Sequence, residues 1–215
     1  WDTHPRGAPD VPPPLGRVGG GAPPFYPALW RGGVMGRGGP TTGLLIRSNK
    51  VMYDVETSSV FDTFLGHALT GPLAERGVKL PQATVVTTDW GRWKAAHPET
   101  TVLVEALALG RNFDFRNGRD ANGPIFPVGD VDPRLAIQDD VVGVVRADGQ
   151  AVAFPRVRAF AALSEGATVR QDGVQLEIHA GGFRARDAAG ALLPSHEAFW
   201  FAWSQFHPET RLWRP

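Results

Sequence analysis

Trp90-Gly-Arg-Trp93-Lys-Ala-Ala-His97-Pro98-Glu99-Thr100-Thr-Val102 is echoed 110 residues later by Trp200-Phe-Ala-Trp203-Ser-Gln-Phe-His207-Pro208-Glu209-Thr210-Arg-Leu212. Six identities and one conservative replacement at a single offset mark an internal repeat. Each copy reads as a helix, a proline stop, a turn and a strand, because the residue before proline avoids the helical region. Trp at i and i+3 and His at i+7 fall on one helix face. Two related halves are therefore expected, about 42–110 and 139–215, joined by a loop over 111–138.

Outward from the first copy, Thr84–Thr88 and Thr101–Leu107 are rich in β-branched residues and read as strands. Gly43–Ile46 and Val51–Tyr53 flank Arg47–Lys50 as a hairpin, with Ser48-Asn49 at its turn. Around the second copy, Val141–Val145 and Ala151–Phe154 flank Asp148-Gly149, a strong hairpin signal. Val157–Leu163 suits a helical turn or two. Ala167–Gln171, Val174–His179 and Phe183–Asp187 are separated by Asp172-Gly173 and Gly181-Gly182 and read as a β-meander. Within it Val174, Leu176 and Ile178 alternate with Gln175, Glu177 and His179, the period of a half-buried strand. Ser195–Phe206 is expected to be the closing helix, with Ser195 as its N-cap. The fold class is α+β: mostly antiparallel strands, short helices, and two related halves in one body over 42–215.

Residues 1–41 read as an extended arm. Residues 1–40 hold 19 of the chain's 45 glycines and prolines, including Pro12-Pro13-Pro14 and Gly19-Gly20-Gly21, which break helices and central strands. Phe25, Tyr26, Leu29 and Trp30 interrupt this composition. A linker is mostly small or polar, so these four are expected to anchor the arm on a partner protein, where aromatics carry much of the binding energy.

The 215 residues are enough for a sizeable core. No cysteine is present, which excludes disulfides, thiolate metal sites, iron–sulfur clusters and a cysteine nucleophile. Lys+Arg and Asp+Glu are 22 each, so the chain lacks the basic footprint of a nucleic-acid binder. Its longest apolar runs, such as Ala198–Trp203, fall far short of the ~20 residues that span a bilayer. The sequence begins at Trp1 rather than Met, so a leader or anchor upstream is expected.

Taken jointly, several motifs resemble the bacterial domain-of-unknown-function family 3179. They are Thr42-Gly43, Val51-Met-Tyr-Asp54-x2-Thr57-x-Ser59-x-Phe61, Gly66-x4-Gly71-Pro-Leu73, the Trp90–Thr100 unit, Asp132-x-Arg134-Leu135, the Val142-Gly143-Val144 hairpin ending at Phe154-Pro155, and Phe199–Thr210. The resemblance implies an extracytoplasmic, periplasmic or cell-envelope protein and no known reaction. Members usually carry a Cys-Pro-Leu-Cys-like stretch before the first hairpin, where this chain has its Gly/Pro arm, and a Trp where it has Phe61.

Candidate chemistry is sparse. Asp54, Thr57 and Ser59 combine a carboxylate with two hydroxyls, and His67 is a neighbour that would line the same polar ligand site; a side-chain-capped turn explains the first three equally. His97 and His207 suit metal ligation or general-base work, but a histidine at a helix C-terminus also complements the dipole and bonds the last carbonyls. Trp90, Trp93, Trp200 and Trp203 at helical spacing read as core, with aromatic carbohydrate binding as the rival. Asn112, Asp114, Asn117, Asp120 and Asn122 offer oxygen ligands, but an EF-hand's closing Glu is missing from the required spacing. No Walker loop, dinucleotide fingerprint, nucleophile elbow or His-Glu-x2-His is present. No cofactor, metal or nucleic-acid partner is expected.

The expected function is a non-catalytic accessory or stabilising subunit of a larger extracytoplasmic, membrane-associated assembly, an electron-transfer or photosynthetic complex being one such setting. The alternatives are an enzyme or ligand-binding protein using Asp54, Thr57, Ser59 and His67, and a Trp-based carbohydrate binder.

Overall fold

A computed structural model describes residues 15–17, 41–54, 56–101, 124 and 127–215, with backbone alone at 15–17 and 41–44. The first half is a four-stranded antiparallel meander of β2 (Thr41–Ile46), β3 (Asn49–Tyr53), β4 (Val60–Asp62) and β5 (Ala68–Thr70). The β2–β3 hairpin turns on Arg47 and Ser48, at φ 46° and 60°, one residue before the expected turn. Positive φ at both positions is what a two-residue hairpin loop requires, because its twist then matches that of the strands. The short helix α1 (Pro72–Glu75) and strand β6 (Val85–Thr87) follow, then helix α2 (Trp90–Ala96). Asp89 caps α2 by accepting the Arg92 amide at 2.9 Å.

The arm is not without regular structure. Leu15–Arg17 forms β1, which pairs in parallel with β6. Phe25, Tyr26, Leu29 and Trp30 lie outside the described residues, as do the second expected strand beyond Thr101 and the candidate oxygen ligands from Asn112 to Asn122.

The second half is built on β7 (Asp140–Val145) and β8 (Ala151–Pro155), the expected hairpin. Helix α3 (Arg156–Ser164) leads into the meander β9 (Arg170–Gln171), β10 (Val174–His179), β11 (Gly182–Arg186) and β12 (Leu192–Leu193). The chain then forms β13 (Ser195–Phe199), helix α4 (Trp200–Phe206) and β14 (Arg211–Leu212). The sheet order is β13-β7-β8-β14.

Ser195 therefore does not cap a helix over 195–206. Ser195–Phe199 pairs residue for residue with Val144–Asp140, and the helix starts only at Trp200. Four of those five strand residues are buried, and Ser195, His196 and Glu197 are polar, so no alternation of apolar and polar residues betrays the strand. The carbonyls of Asp139 and Ile137 accept the amides of Trp200 and Phe201 at 2.8 and 3.0 Å, which replaces the missing side-chain cap.

The β7–β8 hairpin divides the core by strand alternation. Val142, Val144, Val152 and Phe154 face Val174, Leu176, Phe183 and Trp213. Val141, Ala151 and Ala153 face Trp200, Trp203 and Phe206. Phe64, from the β4–β5 turn, enters that second layer and stacks on Phe206 at a centroid distance of 4.4 Å, joining the halves.

Candidate functional site

The repeated sequence is a repeated piece of geometry. Trp93 donates its indole N–H to Thr100 Oγ1 at 3.1 Å, and Trp203 donates to Thr210 Oγ1 at 2.9 Å. The amides of His97 and His207 bond the Trp93 and Trp203 carbonyls at 2.8 and 2.9 Å. The two caps have matching backbone angles, φ −135° ψ 70° and φ −130° ψ 69°. Each imidazole leans on its tryptophan, with centroids 4.1 and 4.3 Å apart. The spacing from Trp to Thr thus exists because an indole must find an acceptor one turn past the helix end. Burial differs between the copies: α4 is deep in the core, while in α2 only Trp93 is buried and Trp90 is half-exposed. Trp200 is fully buried, donates to the Asp132 carbonyl at 2.7 Å and carries the Arg134 guanidinium over its ring.

Each repeat also meets a second histidine that the echo does not contain. His97 Nε2 lies 2.9 Å from His179 Nε2, at the end of β10. His207 shares an aromatic nest with His196 of β13: Phe64 and Trp203 lie 4.9 and 5.5 Å from His196, and 6.1 and 4.3 Å from His207, by centroid. Their Nε2 atoms are buried without hydrogen-bond partners among the described residues. Burial, helped by His207, pushes His196 down to about 3; burial, helped by the Arg47 charge, pushes His207 down to about 4.

Asp54, Thr57 and Ser59 do come together, inside the β3–β4 connection. Asp54 Oδ2 accepts the Thr57 amide at 2.8 Å and its hydroxyl at 2.7 Å, and Ser59 Oγ lies 2.7 Å from Thr57 Oγ1 and accepts the Leu73 amide at 3.1 Å. Asp54 and Ser59 are buried. These bonds fix a turn, while Asp54 Oδ1 is buried without a hydrogen-bond partner among the described residues. His67 is exposed in the β4–β5 connection, at the opposite end of β4, and does not join them. Desolvation and Lys79 lower its pKa, against Asp62.

A cleft of about 770 Å³ opens between the β2–β3 turn, residues 129–133 and the end of α4. Arg47, Ser48, Asp130, Asp132, Gln205 and Pro208 line it. Arg47 lies over the Phe206 ring at 5.4 Å, while Asp132 is held by Arg134 at 2.6 Å, which keeps its carboxyl below the usual range. Asp132 and Pro208 belong to motifs of the sequence, but nothing there marked a cleft, because its walls come from three separate segments. Among the described residues no group of three or more His, Asp or Glu side chains is placed to hold a metal ion.

No curated protein and no solved structure matches the chain. The family described as "Protein of unknown function (DUF3179)" matches residues 39–191, from just before β2 to just before β12 and short of the second Trp unit. By that match, over more than half of its length, the chain belongs to the DUF3179 family.

Proposed function

We propose that the chain is a non-catalytic accessory subunit that docks on a larger extracytoplasmic, membrane-associated assembly. The observation that carries this reading is the outward face of α3. Val157 and Phe160, three residues apart on one face, are 75% and 42% exposed, while Ala159 on the opposite face is fully buried. Ile178 is 41% exposed; it is the cross-strand partner of Phe183, whose ring meets that of Phe160 at 6.2 Å. Clustered apolar exposure of this kind is typical of an interaction surface. Several polar side chains with reactive potential are engaged with one another: Asp54 Oδ2 with Thr57, Thr57 with Ser59, and His97 with His179. The extracytoplasmic part of the reading rests on the family resemblance, and the apolar residues Phe25, Tyr26, Leu29 and Trp30 in the composition of the arm support a second contact. Among the described residues no helix is long and apolar enough to cross a membrane.

Isolation of the chain from its own host under mild detergent tests the proposal. The expected result is a complex of fixed composition, from which the variant Val157→Asp/Phe160→Asp runs free while its melting temperature stays near that of wild type. A wild-type chain that runs as a free monomer, or a variant that remains in the complex, overturns it.

The cleft beside Arg47 favours a second reading, a small-ligand binding protein. A guanidinium at the mouth and Gln205 on the wall suit a carboxylated or polyhydroxylated compound. Calorimetric titration with small carboxylates and oligosaccharides is expected to give saturable binding that Arg47→Ala weakens at least tenfold, the loss of a charge-assisted hydrogen bond being worth roughly 1.5–3 kcal/mol. Binding that Arg47→Ala leaves unchanged removes the cleft from consideration.

A further inference from the structure

We propose that His97 and His179 form an acid-released latch that holds α2 on the β10–β11 hairpin. The two imidazole Nε2 atoms are 2.9 Å apart, although the residues are 82 positions apart in sequence and stand on separate elements. The ring centroids are 5.0 Å apart, so the rings point nearly end-on, the arrangement of one shared proton rather than of two ligands bent around a metal.

One ring must donate and the other accept, which two neutral imidazoles of opposite tautomer can do. One added proton is tolerated, since an imidazolium donates to a neutral ring. A second proton leaves two donors face to face, and the bond is lost. The charged surroundings oppose that second proton. Arg184 and Arg186 of β11 face His179 on one side, with Glu177 of β10 bound between them. Arg92 of α2 lies across Gly181 in the hairpin turn and is itself paired with Asp89 at 3.3 Å; Lys94 closes the last turn of α2. Burial first, then Arg184 and His97, lower the His179 pKa from its ordinary value. A proton on His179 is therefore disfavoured while the latch is closed, and acid opens the latch once both rings must donate.

Among the described residues, little else holds α2 on the hairpin. Thr88 Oγ1 donates to the Ala180 carbonyl, Arg92 rests on Gly181, and Trp93 is the only buried side chain of the helix. A superficial element with so few buried contacts opens locally rather than with the whole molecule. Opening would separate the first Trp unit from the second-half meander while the β7–β8 core stays closed.

Amide hydrogen exchange on the full chain, corrected for intrinsic rates, reads this directly. Between pH 7.5 and 5, protection of α2 amides is expected to fall by about tenfold while that of Val141–Val145 changes far less. His179→Gln, which cannot take the proton, should abolish the α2 step. A nitrogen-15 histidine titration of wild type, which needs no variant, should show the His97 and His179 Nε2 signals moving as a coupled pair. Loss of α2 protection in parallel with β7, a step that persists in His179→Gln, or two independent titrations each overturn the latch.

Discussion

Replacement of Trp203 by alanine is expected to be the most damaging single truncation in the chain, at about 3–5 kcal/mol. Trp203 is fully buried and lies against Gly143, which leaves room for its ring. A Cβ added at Gly143 of β7 would overlap its six-membered ring. Gly143 stands between Ala153 of β8 and His196 of β13 in the sheet, so the ring lies over a glycine that has no side chain to fill the void its removal would leave. The same overlap makes Gly143→Ala costly, because backbone on one side and an indole on the other leave nothing flexible to yield. Thr210→Val tests the polar end of the residue: it strands the Trp203 N–H, whose acceptor is 2% exposed, and should cost about 1–3 kcal/mol. Trp93→Ala, in the superficial copy, should cost distinctly less than Trp203→Ala. Urea denaturation of the four variants checks the order. A Trp203→Ala midpoint within error of wild type, or equal losses at Trp93 and Trp203, would show that the indole is not what fills this core.

That comparison also marks how far the sequence could be read. The Trp-x2-Trp-x3-His-Pro-x-Thr spacing was legible because its second Trp, its His and its Thr meet partners within their own unit, Trp with Thr and His with the Trp carbonyl. The β7–β8 hairpin and the β10–β11 hairpin were legible from alternation and glycine-bearing turns. What stayed hidden is what long-range packing decides. Nothing in the neighbourhood of His179 or His196 announces that each will meet the histidine of a Trp unit, because the meeting is made by β10 and β13, not by local spacing. Ser195–Phe199 has the composition of a helix start and becomes a strand because β7 offers it a full register of partners. Asp54, Thr57 and Ser59 were grouped from the sequence, but only the fold reveals that they hydrogen-bond one another. His67 is close in sequence to that group and far from it along β4, since strand direction outweighs sequence proximity.

The chain is expected to lose stability steeply between pH 6.5 and 4, and the buried pair of the second Trp unit is the main cause. His196 and His207 are neutral in the folded state, with values of about 3 and about 4, whereas in the unfolded chain each returns to an ordinary value near ~6.5. Below that value the unfolded state binds protons that the folded state refuses, so stability falls as pH falls. The slope is roughly 1.4 kcal/mol per pH unit for each histidine, about 3 kcal/mol from each by pH 4. Against a typical total of 5–15 kcal/mol, that is a large share. His179, also lowered, acts in the same direction. Asp62 acts in the opposite one: burial raises its carboxyl, so the folded state takes up that proton first, and this offsets part of the loss only as pH approaches the carboxylate range. Thermal melts at half-unit steps from pH 7.5 to 4.5 should therefore show a falling midpoint, and His196→Gln, which removes one of the two refused protons, should flatten that fall by about half even if its midpoint at pH 7.5 is lower. A midpoint that stays level to pH 4.5 in wild type, or a slope in His196→Gln equal to that of wild type, would mean that the two imidazoles are hydrated and charged in the folded protein and that the Phe64–Trp203 nest is open to water.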